Sequence, residues 1–176
     1  MPSVGAVVDG TIYVVGGFAP RPGGGWLDWS ALNEALTVFL PVSIDIKPGQ
    51  AANTINLNSR ATILVAILSS AEFDALTVDP ASLTLAPAGG QAGARVVTTG
   101  RGTPLTVLRD VDRDGRLDLV VHFRIEELQL TPSDTEAVLR GATFSGQRIR
   151  GVDSIRVVPS FVLINRPDRG QVPRKR

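Results

Sequence analysis

From Val42 onward the chain alternates apolar and polar residues with the two-residue period of a half-buried strand. In "VSIDIK", Val42, Ile44 and Ile46 face one way and Ser43, Asp45 and Lys47 the other. "NTINLN" repeats the alternation with Ile55 and Leu57. "ATILVAIL" is apolar on both faces, as expected of a central strand covered on both sides. In "LDLVVHF", Leu117, Leu119, Val121 and Phe123 alternate with Asp118, Val120 and His122. Further strands are predicted over 82–85, 94–98, 105–108, 135–140, 154–158 and 161–164, with one helical turn capped by Ser70 in "SSAEFDA". Turn residues separate them at Pro48-Gly49, Asp79-Pro80, Gly89-Gly90, 100–102 and Ser145-Gly146. Many short strands with almost no helix predict an all-β fold, an antiparallel β-sandwich.

The first forty residues follow other rules. "SVGAVVDGTIYVVGGF" is two apolar runs around Asp9-Gly10, a pair whose tolerance of positive φ at both turn positions predicts a two-residue hairpin. "APRPGGGW", with two prolines and three consecutive glycines, reads as a linker. In "LDWSALNEALTVFL", Ser30 predicts a short helix through Leu36, stopped at Pro41, and Trp26 and Trp29 are expected to cover one edge of the following domain. Within the first hairpin, "DGTIYVVGG" resembles the glycine-doublet hairpin of a kelch blade. That resemblance covers only residues 3–18, too little for a propeller. It implies a blade remnant, with Met1 lying within or just after the last blade of a longer kelch protein. The expected organisation is therefore a kelch-like hairpin over 1–18, a linker and short helix over 19–41, an immunoglobulin-like sandwich over 42–158, and an extra strand with a basic tail over 159–176.

Composition supports a folded chain and removes several function classes. Of 176 residues 43% are hydrophobic and 20% charged, near globular norms. The formal net charge is +1, but residues 166–176 hold five basic residues against one acid, so the body is mildly acidic. That tail reads as a solvated terminus rather than a nucleic-acid or membrane contact. With no cysteine there is neither a disulfide framework nor a thiolate metal site. The longest apolar run, 63–68, is far too short to span a bilayer. Residues 1–20 lack a basic start, and Asp9 interrupts the apolar stretch, so no signal peptide is expected.

The candidate chemistry lies in "LRDVDRDGRLDLVVHF", residues 108–123, where Asp110, Asp112, Asp114 and Asp118 surround Gly115 in the pattern D-x-D-x-D-G-x-x-D. Calcium takes six to eight oxygen ligands, which a loop can offer from alternate positions. Asp110, Asp112 and Asp114 would each give one oxygen, Arg116 its backbone carbonyl with its side chain pointing away, and Asp118 would close the cage. An EF-hand is excluded: it needs helical flanks and a glutamate at loop position 12, where this chain has Val121. The flanks here are strands, and the hairpin resembles the calcium loops of integrin α-subunit blades and thrombospondin repeats. The rival reading is an acidic hairpin neutralised by Arg109, Arg113 and Arg116, with the Asp114-Gly115 turn chosen for backbone geometry. That reading explains two residues of the motif and leaves the other three aspartates as chance.

Four segments together, "VSIDIKPGQAANTINLNSRATILVAIL", "FDALTVDPASLTL", "DVDRDGRLDLVVHF" and "SDTEAVLRGATFSGQRIRGVDSIRVV", resemble a bacterial C-terminal module of extracellular proteins. The resemblance spans about 42–158 and implies a secreted or cell-surface β-domain attached to repeats or enzymes, with no defined activity of its own. Enzymatic alternatives find little in the residues. His122 is the sole histidine and shares a strand face with Asp118, but four residues along a strand is roughly 13 Å. Asp134, Glu136 and Asp153 could pair as carboxylates, though "SDTEA" reads more simply as a turn and a strand. "GGQAGARVV" lacks the lysine of a phosphate loop. A sugar-binding or adhesion module would need an aromatic platform, and residues 42–158 offer only Phe73, Phe123 and Phe144. The expectation is a non-catalytic, calcium-binding accessory or interaction module, with a protein or cell-surface partner that the sequence does not name.

Overall fold

The computed structural model describes residues 4–8, 11–18, 29–90 and 92–158, with side chains from residue 38 onward. Every regular element among them is a strand or a short 3-10 turn. β1 (Val4–Val8) and β2 (Thr11–Phe18) pair antiparallel, with Val8 opposite Thr11, so a two-residue connection joins them as the Asp9-Gly10 signal predicts. The helix predicted from Ser30 is instead a strand, β3 (Trp29–Thr37), laid antiparallel along the free edge of β2. A ladder of seven paired positions outweighs one local capping signal, because each rung satisfies main-chain groups that a short isolated helix would leave open. The expected linker, Trp26, the strand at 161–164 and the basic tail lie outside the described residues.

The next sheet begins at Leu40, two residues before the alternation that marks it in the sequence. β4 (Leu40–Pro41) belongs to a five-stranded sheet with β8 (Thr84–Pro87), β9 (Ala94–Arg95), β12 (Glu136–Ala142) and β13 (Arg148–Ser154), in the order β4-β13-β12-β8-β9. A four-stranded antiparallel sheet joins β5 (Ile44–Ile46), β7 (Thr62–Ile67), β10 (Thr106–Arg109) and β11 (Asp118–Arg124), in the order β10-β11-β7-β5. β6 (Thr54–Asn56) and β14 (Arg156–Val158) form a parallel pair. β4 and β13 are parallel too, so the expected purely antiparallel arrangement is corrected to a mixture. The parallel pairs arise where the chain passes from one sheet to another within a few residues, at Pro41–Ile44 and again at Ser154–Arg156.

One hydrophobic core receives the inward side chains of both larger sheets: Ile44, Ile46, Val65, Ile67, Val121 and Phe123 from one, Leu85, Leu139 and Ile149 from the other. The alternation predicted for β11 is present, with Leu119, Val121 and Phe123 in the core, while Leu117 falls in the preceding loop, exposed. β7 is central in its sheet as expected, yet its outward Leu64 is 40% exposed, so that face is only partly covered. Ser70 does cap a turn, its Oγ accepting the Glu72 and Phe73 amides, but the turn is a bend. The 3-10 turn follows at Ala75–Thr77 under Asp74.

Candidate metal centre

The last rung of the β10–β11 ladder pairs Arg109 with Asp118, so residues 110–117 form the connecting loop. Gly115 at φ +89° and Arg113 at φ +67° turn it through the left-handed region, which costs little at glycine and more at arginine. The aspartates hold that path. Asp110 Oδ2 accepts the Gly115 amide at 3.1 Å, Asp112 Oδ1 the Asp114 amide at 3.1 Å, and Asp114 Oδ1 the Arg116 amide at 2.8 Å. Asp118 is fully buried at the base, its Oδ1 accepting the Ser69 amide at 2.8 Å and its Oδ2 the Val111 amide at 2.7 Å. All four aspartates therefore serve the backbone. The expectation that loop geometry would explain only Asp114-Gly115 is corrected.

Three of the four carboxylates also converge. One oxygen each from Asp110, Asp112 and Asp118 lies within 4.8 Å of the others, with Asp118 buried, Asp110 half-buried and Asp112 exposed. Asp114 stands outside this group, because its Oδ2 meets Arg116 Nη1 at 3.0 Å. The Arg116 main-chain amide, and then its guanidinium, hold the Asp114 carboxyl below the usual range. Against the expectation that it points away, the Arg116 side chain is the one cation that pairs with the loop's carboxylates among the described residues. Arg109 and Arg113 make no ion pair with a described residue. The arginine reading thus accounts for Asp114 and leaves the other three carboxylates without an ion-pair partner among the described residues.

A divalent cation fits these three on two grounds. Like charges this close raise one another's energy unless a positive charge lies between them. Asp110 Oδ1 is buried and has no hydrogen-bond partner among the described residues, which leaves it available as a ligand oxygen. Carboxylate oxygens are hard ligands suited to calcium or magnesium.

The other candidates disperse. His122 makes no hydrogen bond or ion pair to another described side chain, and it pairs across the ladder with Leu64 on the outward face of β11. Asp134 closes its own turn, accepting the Thr131 amide at 2.6 Å and the Thr131 hydroxyl at 2.9 Å. Asp153 accepts the Ile46 amide at 2.8 Å and Asn53 Nδ2 at 2.9 Å, tying β13 to β5. Phe123 is core, Phe73 packs partly against it and Phe144 is exposed. The residue that sequence reasoning passed over is Ser69. Besides donating its amide to Asp118, it donates Oγ–H to the Leu117 carbonyl at 2.7 Å and accepts the Ala75 amide at 3.0 Å. A serine in "ILSSAEF" carries no signal that it anchors a loop some fifty residues away. No family model, curated protein or solved structure matches this chain.

Proposed function

We propose that this chain carries a calcium-binding, non-catalytic β-module of a secreted or cell-surface bacterial protein, and that its two larger sheets form a sandwich. The observation that carries the reading is the convergence of Asp110, Asp112 and Asp118 around an unpartnered, buried Asp110 oxygen, with no arginine among the described residues paired to any of them. The ion would be held by those three carboxylates and by the Arg116 carbonyl, and it would supply the positive charge the loop lacks. Its role is mechanical. The loop is already bonded to Ser69 through Asp118, so a cation would lock that junction and stiffen the β10–β11 hairpin against the end of β7. The sandwich arrangement is supported by the common core of both sheets. The extracellular setting rests on the module resemblance.

Calcium titration followed by thermal melting tests this. A Kd of about 10⁻⁵–10⁻³ M is expected, the range of extracellular calcium modules. At ten times Kd, calcium should add about 1.4 kcal/mol of stability. Asp112→Asn, an exposed isosteric change, should remove that gain while leaving the chelator-treated protein folded as before. A melting temperature indifferent to calcium and chelator would sink the proposal.

A further inference from the structure

Beside the acidic loop, the outward face of the four-stranded sheet is not flat. A cleft of about 430 Å³ lies there, within the range of small-molecule sites. Its floor is the outward row of three adjacent strands: Val107, Val120, His122 and Leu64. The ladder register places these side by side, Val107 opposite Val120 and His122 opposite Leu64. The Pro48-Gly49 turn walls one side, and Arg109 and Arg113 line the end nearest the loop. Val107 is 51% and Leu64 40% exposed, so the apolar floor stands open to solvent. Neither arginine has an ion-pair partner among the described residues, and the cleft's single acid is Asp110.

We infer that this cleft binds a small organic carboxylate with an apolar body, the carboxylate on Arg109 and Arg113 and the body on Val107, Val120 and Leu64. Guanidinium groups hold carboxylates through charge-assisted, paired hydrogen bonds. Two arginines against Asp110 leave the mouth of the cleft net positive, so the anionic end of a ligand is drawn to the loop. The apolar floor then selects against hydrated inorganic anions, which gain nothing from it. The cleft offers too few polar groups for a sugar, since His122 is the only polar side chain on its floor. Asp110 belongs to both sites. A cation at the acidic loop cancels the one negative charge in the cleft, so calcium and carboxylate should strengthen each other's binding by the same factor. This coupling rests on the calcium reading; the cleft itself does not.

The test is a titration of the full chain with 3-phenylpropionate, followed by two-dimensional amide NMR, in chelator and again in calcium. In chelator we expect a Kd on the order of 1 mM, with shifts centred on residues 64, 107 and 120. 3-Phenylpropanamide, which lacks the charge, and inorganic phosphate, which lacks the body, should each bind about tenfold more weakly. The double variant Arg109→Gln/Arg113→Gln should lose the same factor, and Val107→Asn should weaken phenylpropionate without changing phosphate. Phosphate binding as well as phenylpropionate, or a double variant with undiminished affinity, would overturn the cleft. A free carboxylate and the C-terminal carboxylate of a peptide share this chemistry, and N-acetyl-leucine against N-acetyl-glycyl-leucine separates them: only a peptide site prefers the longer one. If calcium shifts the loop amides yet leaves the phenylpropionate Kd unchanged, the coupling is wrong. If calcium shifts nothing, the failure lies with the metal reading instead.

Discussion

Arg116 does two opposing things to the acidic loop. Its amide and guanidinium fix Asp114, and in doing so they take a fourth carboxylate away from the other three. Arg116→Gln keeps the amide and removes the cation, so Asp114 is free to join Asp110 and Asp112. Calcium should then bind about two to five times more tightly, the worth of an exposed ion pair, as isothermal calorimetry would register. What the lowered Asp114 pKa adds to the metal-free fold is present at neutral pH and is lost as the pH falls through the lowered folded value. Asp45 is the reverse case. Partial burial, and then the nearby Asp153 carboxylate, push its pKa up against a smaller pull from the Gly49 amide. The folded protein holds that proton more tightly than the unfolded chain, so ionised Asp45 works against folding at neutral pH. The penalty fades as the pH drops below the ordinary value of 3.8. Asp45→Asn should therefore raise stability at pH 7 by less than about 1 kcal/mol, since solvent screens the group. Urea melts at about pH 3 should show no difference between variant and parent.

At the scale of elements, β13 shows where sequence patterning stops. Its inward positions run Ile149, Gly151, Asp153, so only one of three is apolar and no alternation is visible. Gly151 is small because the chain passing from β4 to β5 crosses over it. A Cβ there would sit 2.5 Å from Ile44 Cγ2 and 3.1 Å from the Val42 carbonyl. Gly151→Ala should cost about 1–3 kcal/mol, the usual price of overpacking. Gly100→Ala, with nothing within 4 Å and no positive φ, should cost nothing measurable in the same denaturation series. Strands β5, β11 and β12 were legible because their faces differ in polarity, and β7 because its apolar run is unbroken. β3 was not, since its partner is set by a neighbouring edge rather than by its own period. The acidic loop was legible because side chains that accept their own backbone must be aspartates at short, fixed spacing. Its anchor was not, because Ser69 reaches Asp118 through a main-chain amide, which any residue could provide.

For the whole molecule, the sheet connections set which parts can stand alone. Among the described residues, β1, β2 and β3 pair as strands only with one another, whereas β4 belongs to the five-stranded sheet. A fragment of residues 38–158 should therefore melt cooperatively without the first three strands. A fragment of residues 42–158 lacks β4 and should melt lower, because Ile149 and Arg150 lose their partners at Leu40 and Pro41. Non-cooperative melting of the longer fragment, by circular dichroism, would show that the first sheet is needed after all. The parallel pairing of β4 with β13 has one more consequence. When the two ends of residues 38–158 are drawn apart, β4 is pulled one way and the chain leaving β13 the other, along the strands. The load then falls on the rungs in shear, and on β14 against β6 in the same manner, so the bonds must fail together rather than unzip one by one. Stretched from its ends, residues 38–158 should therefore yield in one abrupt step rather than peel apart, as single-molecule force measurements would record.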